Sequence, residues 1–297
     1  MDHLQRYQTK SYKTFKVFNY IFLGLAALVC ILPMIHLLAV SLSGSAAASA
    51  GAVSLLPVNF TTEAYMETLG NRNFLDALRN GILRVVLGTA VSMGLLLCAA
   101  YAISKNEQEF RGRNFYTWFF VFTMLFNGGL VPTYIVVTSL GLSNSIWALV
   151  LPVAINAFNL VLLMNFFRTS VPKSLDEAAT IDGANHFNIF MRIYLPVSLP
   201  AIATISLFTM VFHWNSWFDG LIYMNDASRY PLSTFLQTII VQQDYSSMDM
   251  DAATVRNLNQ RTVESAQIFI AALPMLIVYP FLQKYFVKGI VLGSEKE

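Results

Sequence analysis

Charge is what this sequence has least of. Asp, Glu, Lys and Arg make up 12% of its 297 residues while 56% are apolar, against about a quarter charged in soluble domains. With a mean hydropathy of +0.54, these values exclude an ordinary water-soluble globule and point to a polytopic membrane protein. Cysteine is nearly as scarce. Cys30 and Cys98 both lie in apolar runs without polar ligand types nearby, so neither a disulfide nor a metal site is expected, and both read as buried thiols. No Gly-rich Lys-Ser/Thr phosphate loop occurs, so the chain is not itself an ATPase. The net charge of +2 is spread thinly and gives no argument for a nucleic-acid partner.

What the sequence has is length in its apolar runs. A helix needs about 20 mainly apolar residues to cross the hydrocarbon core. Six runs meet that length: Phe18–Leu42, Arg79–Ser104, Phe115–Leu140, Ser145–Phe167, Pro196–Trp217 and Ser265–Gln283. The first is too long for a secretory signal and carries Pro33 but no charge, as a retained span would. The expected organisation is a tail over 1–17, a first span over 18–42, an external loop over 43–78, the remaining five spans within 79–287 and a tail over 288–297.

Lys and Arg are sorted along this plan. Arg6, Lys10, Lys13 and Lys16 precede the first span. Lys105, Arg111 and Arg113 follow the second, and Arg168, Lys173 and Arg192 follow the fourth. Lys284, Lys288 and Lys296 lie near the end. All fall on one side of a six-span topology, which places both termini and the 168–195 loop in the cytoplasm. The 219–264 connection is then external. Arg79 and Arg84 lie near the outer end of the second span and are expected to snorkel to water. The span interiors otherwise offer amides, indoles and two histidines, a poor equipment for a proton- or sodium-driven carrier. The energy for any transport is therefore expected from a partner.

Ser43–Ser54, reading SGSAAASAGAVS, is expected to be a flexible or loosely helical segment without a core. Residues 61–78 carry the pattern of a short interfacial helix leading into the second span. His36 reads as a hydrogen-bonded helix contact, Gly128 and Gly129 with Pro132 as a hinge or a close packing site, and Asp244, Asp249 and Asp251 as members of a solvated external loop.

The polar loop 168–195 carries the most information. Ser174 and Glu177 have capping-box spacing and predict a helix start there. Gly183 ends that helix in a geometry that side chains resist. A second helix is expected from Ala184, with Phe187, Phe190, Met191 and Tyr194 on one face, and Pro196 at its turn into the fifth span. Ala178 and Ala179 are small enough for a partner to approach the backbone, and Glu177 and Asp182 flank them with charge. On these residues alone, an amphipathic helix resting on the membrane remains open.

The order Glu177, Ala178, Ala179, then Gly183, then Ile193, Tyr194, Leu195 and Pro196 resembles the loop signature of permease subunits in binding-protein-dependent ABC importers. Trp214, Asn215 and Trp217, the segment Tyr230–Leu236 and the ending Gln283–Lys296 are similar to the carbohydrate-uptake branch, the maltose-type second permease. Phe126–Tyr134, reading FNGGLVPTY, resembles its oligosaccharide subgroup.

The resemblance implies an all-α, six-span transmembrane domain in a bacterial plasma membrane. Glu177, Ala178, Ala179, Asp182 and Gly183 would couple it to ATPase subunits. Its partners would be a second permease, two ATPases and an extracellular sugar-binding protein, with ATP and Mg held by the ATPases and no cofactor or metal by this chain. Sugar rings are bound by aromatic faces and by amides or hydroxyls. Asn127, Asn156, Asn159, His213, Trp214, Asn215 and Trp217 are the candidates for that pathway. An ion-coupled secondary carrier and a membrane scaffold or sensor are the competing classes.

Overall fold

A backbone surrounded by hydrocarbon must satisfy its own hydrogen bonds, and apolar runs of this length do so as helices. The computed structural model describes residues 10–246 and 253–294 and the side-chain surroundings of 11–240 and 260–280. Among the described residues the chain is helical, with no strand. Three helical stretches are long and apolar enough to span a membrane unbroken: Ser11–Ser41 within α1 (Lys10–Ser41), all of α4 (Arg72–Ser104), and Gln260–Pro280 within α15 (Ala253–Ser294). Three bent pairs bring the number to six if each pair is one span.

The breaks lie where the sequence removes helix support. The expected third span is not one rod. Helices α5 (Arg113–Leu125) and α6 (Leu130–Ser139) meet at 117°, across a link in which Gly129 has φ +88° and its N–H donates to Asn127 Oδ1 at 2.8 Å. In the fourth, α7 (Ile146–Val150) runs on through a 3-10 turn containing Pro152 and meets α8 (Ala157–Ser170) at 52°. Asn156 caps α8 by accepting from the Asn159 N–H at 3.0 Å. In the fifth, the stretch His186–Val197 meets α12 (Leu199–Asn215) at 81°, with Pro196 and Pro200 on either side of the break at Ser198. Proline removes a donor on each side, so the ladder yields there.

The chain divides into two compact units, one taking in the described residues up to Asn71 and from Gln242 to Ala272, the other Arg72–Val241 and the described residues from Leu273. In the first, the small-residue segment does build a core, contrary to expectation. Helix α2 (Ser45–Ser49) folds back so that Ala48 and Val53 are buried with Ala39 and Val40 of α1. Alanine allows that close approach, and Ser43 ties the turn by donating to Ala39 O at 2.6 Å and accepting from the Val58 N–H at 3.0 Å. His36 bonds the Ser54 carbonyl at 2.6 Å, a loop rather than another helix. Helix α3 (Glu63–Gly70) is the expected short helix, separated from α4 by Asn71 alone.

In the second unit, α4 lays Met93, Leu96, Ala100 and Ile103 against Leu160, Leu163, Met164 and Phe167 of α8 and Ile205 of α12. The three- and four-residue spacing is that of one helix face. Large apolar side chains such as Trp118 and Leu125, each 71% exposed, cover the outside. Cys30 and Cys98 belong to such surfaces. Both are free and exposed rather than buried, because in a lipid-facing helix an apolar position need not point inward. Asp244 falls in α14 (Leu232–Ser246), with its side chain outside the described region, and Asp249 and Asp251 lie outside the described residues.

Candidate functional site

The loop before the fifth span folds as α9 (Lys173–Ile181) and α10 (His186–Ile189), the latter leading through a π-helical turn, Phe190–Tyr194, into α11 (Leu195–Val197). The Ser174–Glu177 capping box is not formed. Pro172 is the N-cap and no side chain caps the helix. Its ring fixes φ at −61° and thereby sets the chain entry, so Ser174 already lies inside the first turn.

Gly183 closes α9 as expected. Its φ is +80° and a Cβ there would meet nothing within 4 Å, so the backbone conformation rather than lack of space requires glycine. The Asp182 N–H donates to Ala178 O at 2.9 Å, and Ala184 N–H to Ala179 O at 2.9 Å. Ala179 packs against the core of the second unit. Glu177, Ala178, Asp182 and Gly183 are exposed, and Ile181, at the tip, is 85% exposed.

The expected apolar face Phe187, Phe190, Met191 and Tyr194 is not the one buried. Phe187 and Met191 are 63% and 43% exposed, while Ile189, Phe190 and Tyr194 are buried. Met191 lies inside the π turn, whose extra residue per turn shifts the register from a 3.6-residue count, whereas Phe187 precedes the turn, in α10, and is turned outward there.

The breaks of the third and fourth spans and the C-terminal half of α12 meet around a cavity of about 570 Å³. Asn127, Asn156, Asn159 and His213 line it, with Ser92, Thr209, Phe208 and Phe212 among their neighbours. Asn127 and Asn156 use their carbonyl oxygens to hold the broken helix ends, which leaves their NH₂ ends as donors. Asn159 is 8% and His213 1% exposed. Both ring nitrogens of His213, and the Ser92 hydroxyl, are buried without a hydrogen-bond partner among the described residues. The lining contains amides, hydroxyls, one imidazole and apolar faces but no Asp, Glu, Lys or Arg. Such a surface suits a polyhydroxylated ligand.

Trp214, Asn215 and Trp217 are not brought into this lining. Trp214 packs beside Gly81 of α4. Asn215 is the exposed last residue of α12, and the Trp217 ring sits edge-on to Phe218 at 5.5 Å.

Just beyond α12 lies a buried ion pair that reasoning from sequence missed. Arg84 does not snorkel; it is fully buried and pairs through both terminal nitrogens with Asp219 of α13 (Phe218–Tyr223). Its Nη1 also donates to Ser216 O at 2.8 Å. In the same region Asn80 donates to Ser228 O at 2.8 Å. Burial, and then the charge of Asp219, raise the Tyr223 phenol above its ordinary pKa. The Ser228 N–H, 2.9 Å from Asp226, holds that carboxyl below its ordinary range.

A second pair was also missed. Lys105, directly after α4, binds Asp176 of α9 and is 6% exposed. Its position after a span explains the charge as topology alone, and Asp176 is hidden beside the more informative Glu177. An acidic residue in the first turn of a polar helix and a cation ending a span are the available signal, but no spacing connects them.

The sequence profile of the family described as "Binding-protein-dependent transport system inner membrane component" matches residues 106–291. The polygalacturonan/rhamnogalacturonan transport system permease protein YtcP of Bacillus subtilis (strain 168) is 42% identical over 96% of this chain and 99% of the relative. Protein LplC of the same organism is 39% identical over 98% of this chain and 97% of its own length. Among solved structures, a chain of a bacterial ABC transporter involved in the import of the acidic polysaccharide alginate superposes with a TM-score of 0.84 at 32% identity, covering 95% of this chain and 100% of that one.

Proposed function

We propose, from the premise that this chain belongs to the binding-protein-dependent transport system inner membrane component family, that it forms half of the membrane pathway of an ATP-driven carbohydrate importer. The family makes it a transporter permease rather than an enzyme, and its relatives point to saccharide uptake. Oligosaccharides are the cargo, uronate-containing ones included. The cavity carries no carboxylate that would repel them.

The observation that carries the coupling role is α9 itself. A nine-residue helix stands out of the membrane-spanning part with Glu177, Ala178, Ile181 and Asp182 turned outward and is closed by Gly183 in a left-handed conformation. Ile181, 85% exposed at the tip of this polar loop, stands beside the outward Ala178 and gives a socket on another protein an apolar contact. Glu177, Ala178, Ala179, Asp182 and Gly183 therefore dock on one of two ATPase subunits, which hold ATP and Mg. The loop and both termini lie in the cytoplasm. A second permease completes the pore, and an extracellular binding protein delivers the sugar. Asn127, Asn156, Asn159 and His213 face the cargo during passage, while Trp214, Asn215 and Trp217 frame the outer end of α12. Nucleotide closure of the ATPases then biases a rigid-body rocking of the pathway between outward and inward openings.

The test is a reconstituted importer with Glu177→Lys or Gly183→Trp in this subunit. At Gly183, any side chain is strained by roughly 1–2 kcal/mol in the left-handed region. Both variants should insert and assemble yet hydrolyse ATP without importing a galacturonate oligosaccharide. Unchanged substrate-stimulated hydrolysis and uptake in both would overturn the assignment.

A further inference from the structure

Coupling through α9 requires that its displacement reach the spans, and a short surface helix held only by apolar contact would slide. Asp176 lies on the inner side of α9, one residue before Glu177. Its carboxylate binds the Lys105 ammonium and accepts from the Tyr194 hydroxyl at 3.2 Å. The ammonium lies 4.8 Å from the centroid of the Tyr101 ring and 4.7 Å from that of Tyr194, within the range of cation–π attraction. The two rings meet edge-on at 4.8 Å, and Phe167 of α8 backs Tyr194 at 5.5 Å. Tyr101 reaches the chain after α9 by donating to His186 O at 3.2 Å.

Four elements thus converge on one buried charge: the end of α4, α8, α9 and the π turn that leads into the fifth span. The pair is nearly dehydrated, with side-chain exposures of 6% for Lys105 and 19% for Asp176. Taking Lys105 away leaves Asp176 uncompensated in that site, and taking Asp176 away leaves the ammonium only the longer contact with Glu109 of its own loop, at 3.8 Å. A bond of this kind resists both separation and sliding, unlike apolar packing, which is not directional.

We propose that Asp176 and Lys105, caged by Tyr101 and Tyr194, are the positioning residues that lock α9 to the second span and to the π turn, so that force on α9 moves the pathway. The proposal rests on the coupling role of α9 given above. Glu177 and Gly183 meet the ATPase, whereas Asp176 and Lys105 face the other way and carry the displacement inward. The cage sets the stiffness of the joint and touches neither nucleotide nor sugar.

The experiment measures ATP hydrolysed per galacturonate oligosaccharide imported by the complete reconstituted importer. It compares Asp176→Asn, the milder Tyr194→Phe, the conservative Asp176→Glu and, as reference, Gly183→Trp, with the amount of assembled complex determined for each. Coupling free energies are typically of a size that changes equilibria at least about fivefold. Asp176→Asn should raise the ratio by at least that factor in assembled complexes, Tyr194→Phe should raise it less, and Asp176→Glu should restore part of the loss. If uptake and hydrolysis instead fall together in proportion to the assembled complex, the cage is a folding strut and the proposal is wrong. If Gly183→Trp uncouples while Asp176→Asn and Tyr194→Phe keep the ordinary ratio, the latch is refuted and the docking role stands. If none of the variants uncouples, the docking role fails and the latch fails with it.

Discussion

Substituting Asp219 by Asn while keeping Arg84 strips a fully buried guanidinium of the carboxylate that binds both its terminal nitrogens. Arg84 keeps the Ser216 carbonyl at 2.8 Å, which satisfies one donor but not the charge. Breaking a buried pair from this side costs about 3–5 kcal/mol. The reverse change, Arg84→Met, is milder. Asp219 has a side-chain exposure of 23% and still accepts from the Gly220 N–H at 2.9 Å, so its penalty approaches that of an underbonded polar group, about 1–3 kcal/mol.

The double variant Arg84→Met/Asp219→Leu removes both charges and leaves neither stranded. Its stability should fall within about 1 kcal/mol of the parent, or exceed it, because replacing a buried pair by apolar groups is often neutral or stabilising. The assay is reversible unfolding of the purified chain in mixed micelles, followed by tryptophan fluorescence, since Trp217 lies two residues before Asp219 and Trp214 packs beside Gly81, three residues before Arg84. The order of stability should be double variant, then Arg84→Met, then Asp219→Asn. A double variant as unstable as Asp219→Asn, or two equally damaging single changes, would refute the reasoning from burial.

Close contacts in the second unit set two further outcomes. At Gly88 an added Cβ would lie 2.5–2.6 Å from three atoms of the His213 ring, so Gly88→Ala should destabilise by about 1–3 kcal/mol through overpacking, partly offset by alanine's better helix propensity. Thermal melting checks it, and adding His213→Ala to Gly88→Ala should recover stability. At the fourth-span break, Asn156→Ala removes the side-chain cap on the Asn159 N–H and should cost about 0.5–2 kcal/mol. Hydrogen exchange at the Asn159 amide should quicken in that variant, and an unchanged rate would show that the cap does not hold the break.

Apolar length made the all-helical architecture legible, because the bilayer imposes a length that no soluble fold requires. Gly183 was legible too, since an abrupt end to a polar helix has few chemical solutions. What sequence could not reveal was the register within a π turn, and so Met191 was placed on the wrong face. Nor could it reveal the direction of an apolar side chain in a lipid-facing helix, where Cys98 and Ala100 are near neighbours yet one is exposed and the other buried. Of the candidate pathway residues, Asn127, Asn156, Asn159 and His213 share one cavity. The pairs Arg84–Asp219 and Lys105–Asp176 join residues more than 70 positions apart, and no local pattern encodes such a meeting.

Those two pairs also tie α4, which runs unbroken through the second unit, to one of its three bent companions. Arg84 and Lys105 are separated by about 30 Å at 1.5 Å per residue, close to one hydrocarbon thickness, and no proline interrupts α4 between them. Their acidic partners lie on either side of the bent fifth span. Asp219 follows α12, and Asp176 precedes the π turn that leads into it. A bent helix pair transmits displacement poorly along its own axis, because the 81° break at Ser198 absorbs it. Pinning both flanks of that pair to one unbroken helix gives the break a fixed frame. Flexure at Ser198 then changes the shape of the wall to which Phe208, Phe212 and His213 belong, without loosening the ends. On this reading the prolines beside Ser198 and the two buried ion pairs serve the same end: the breaks permit motion at the cavity, and the charges confine it there.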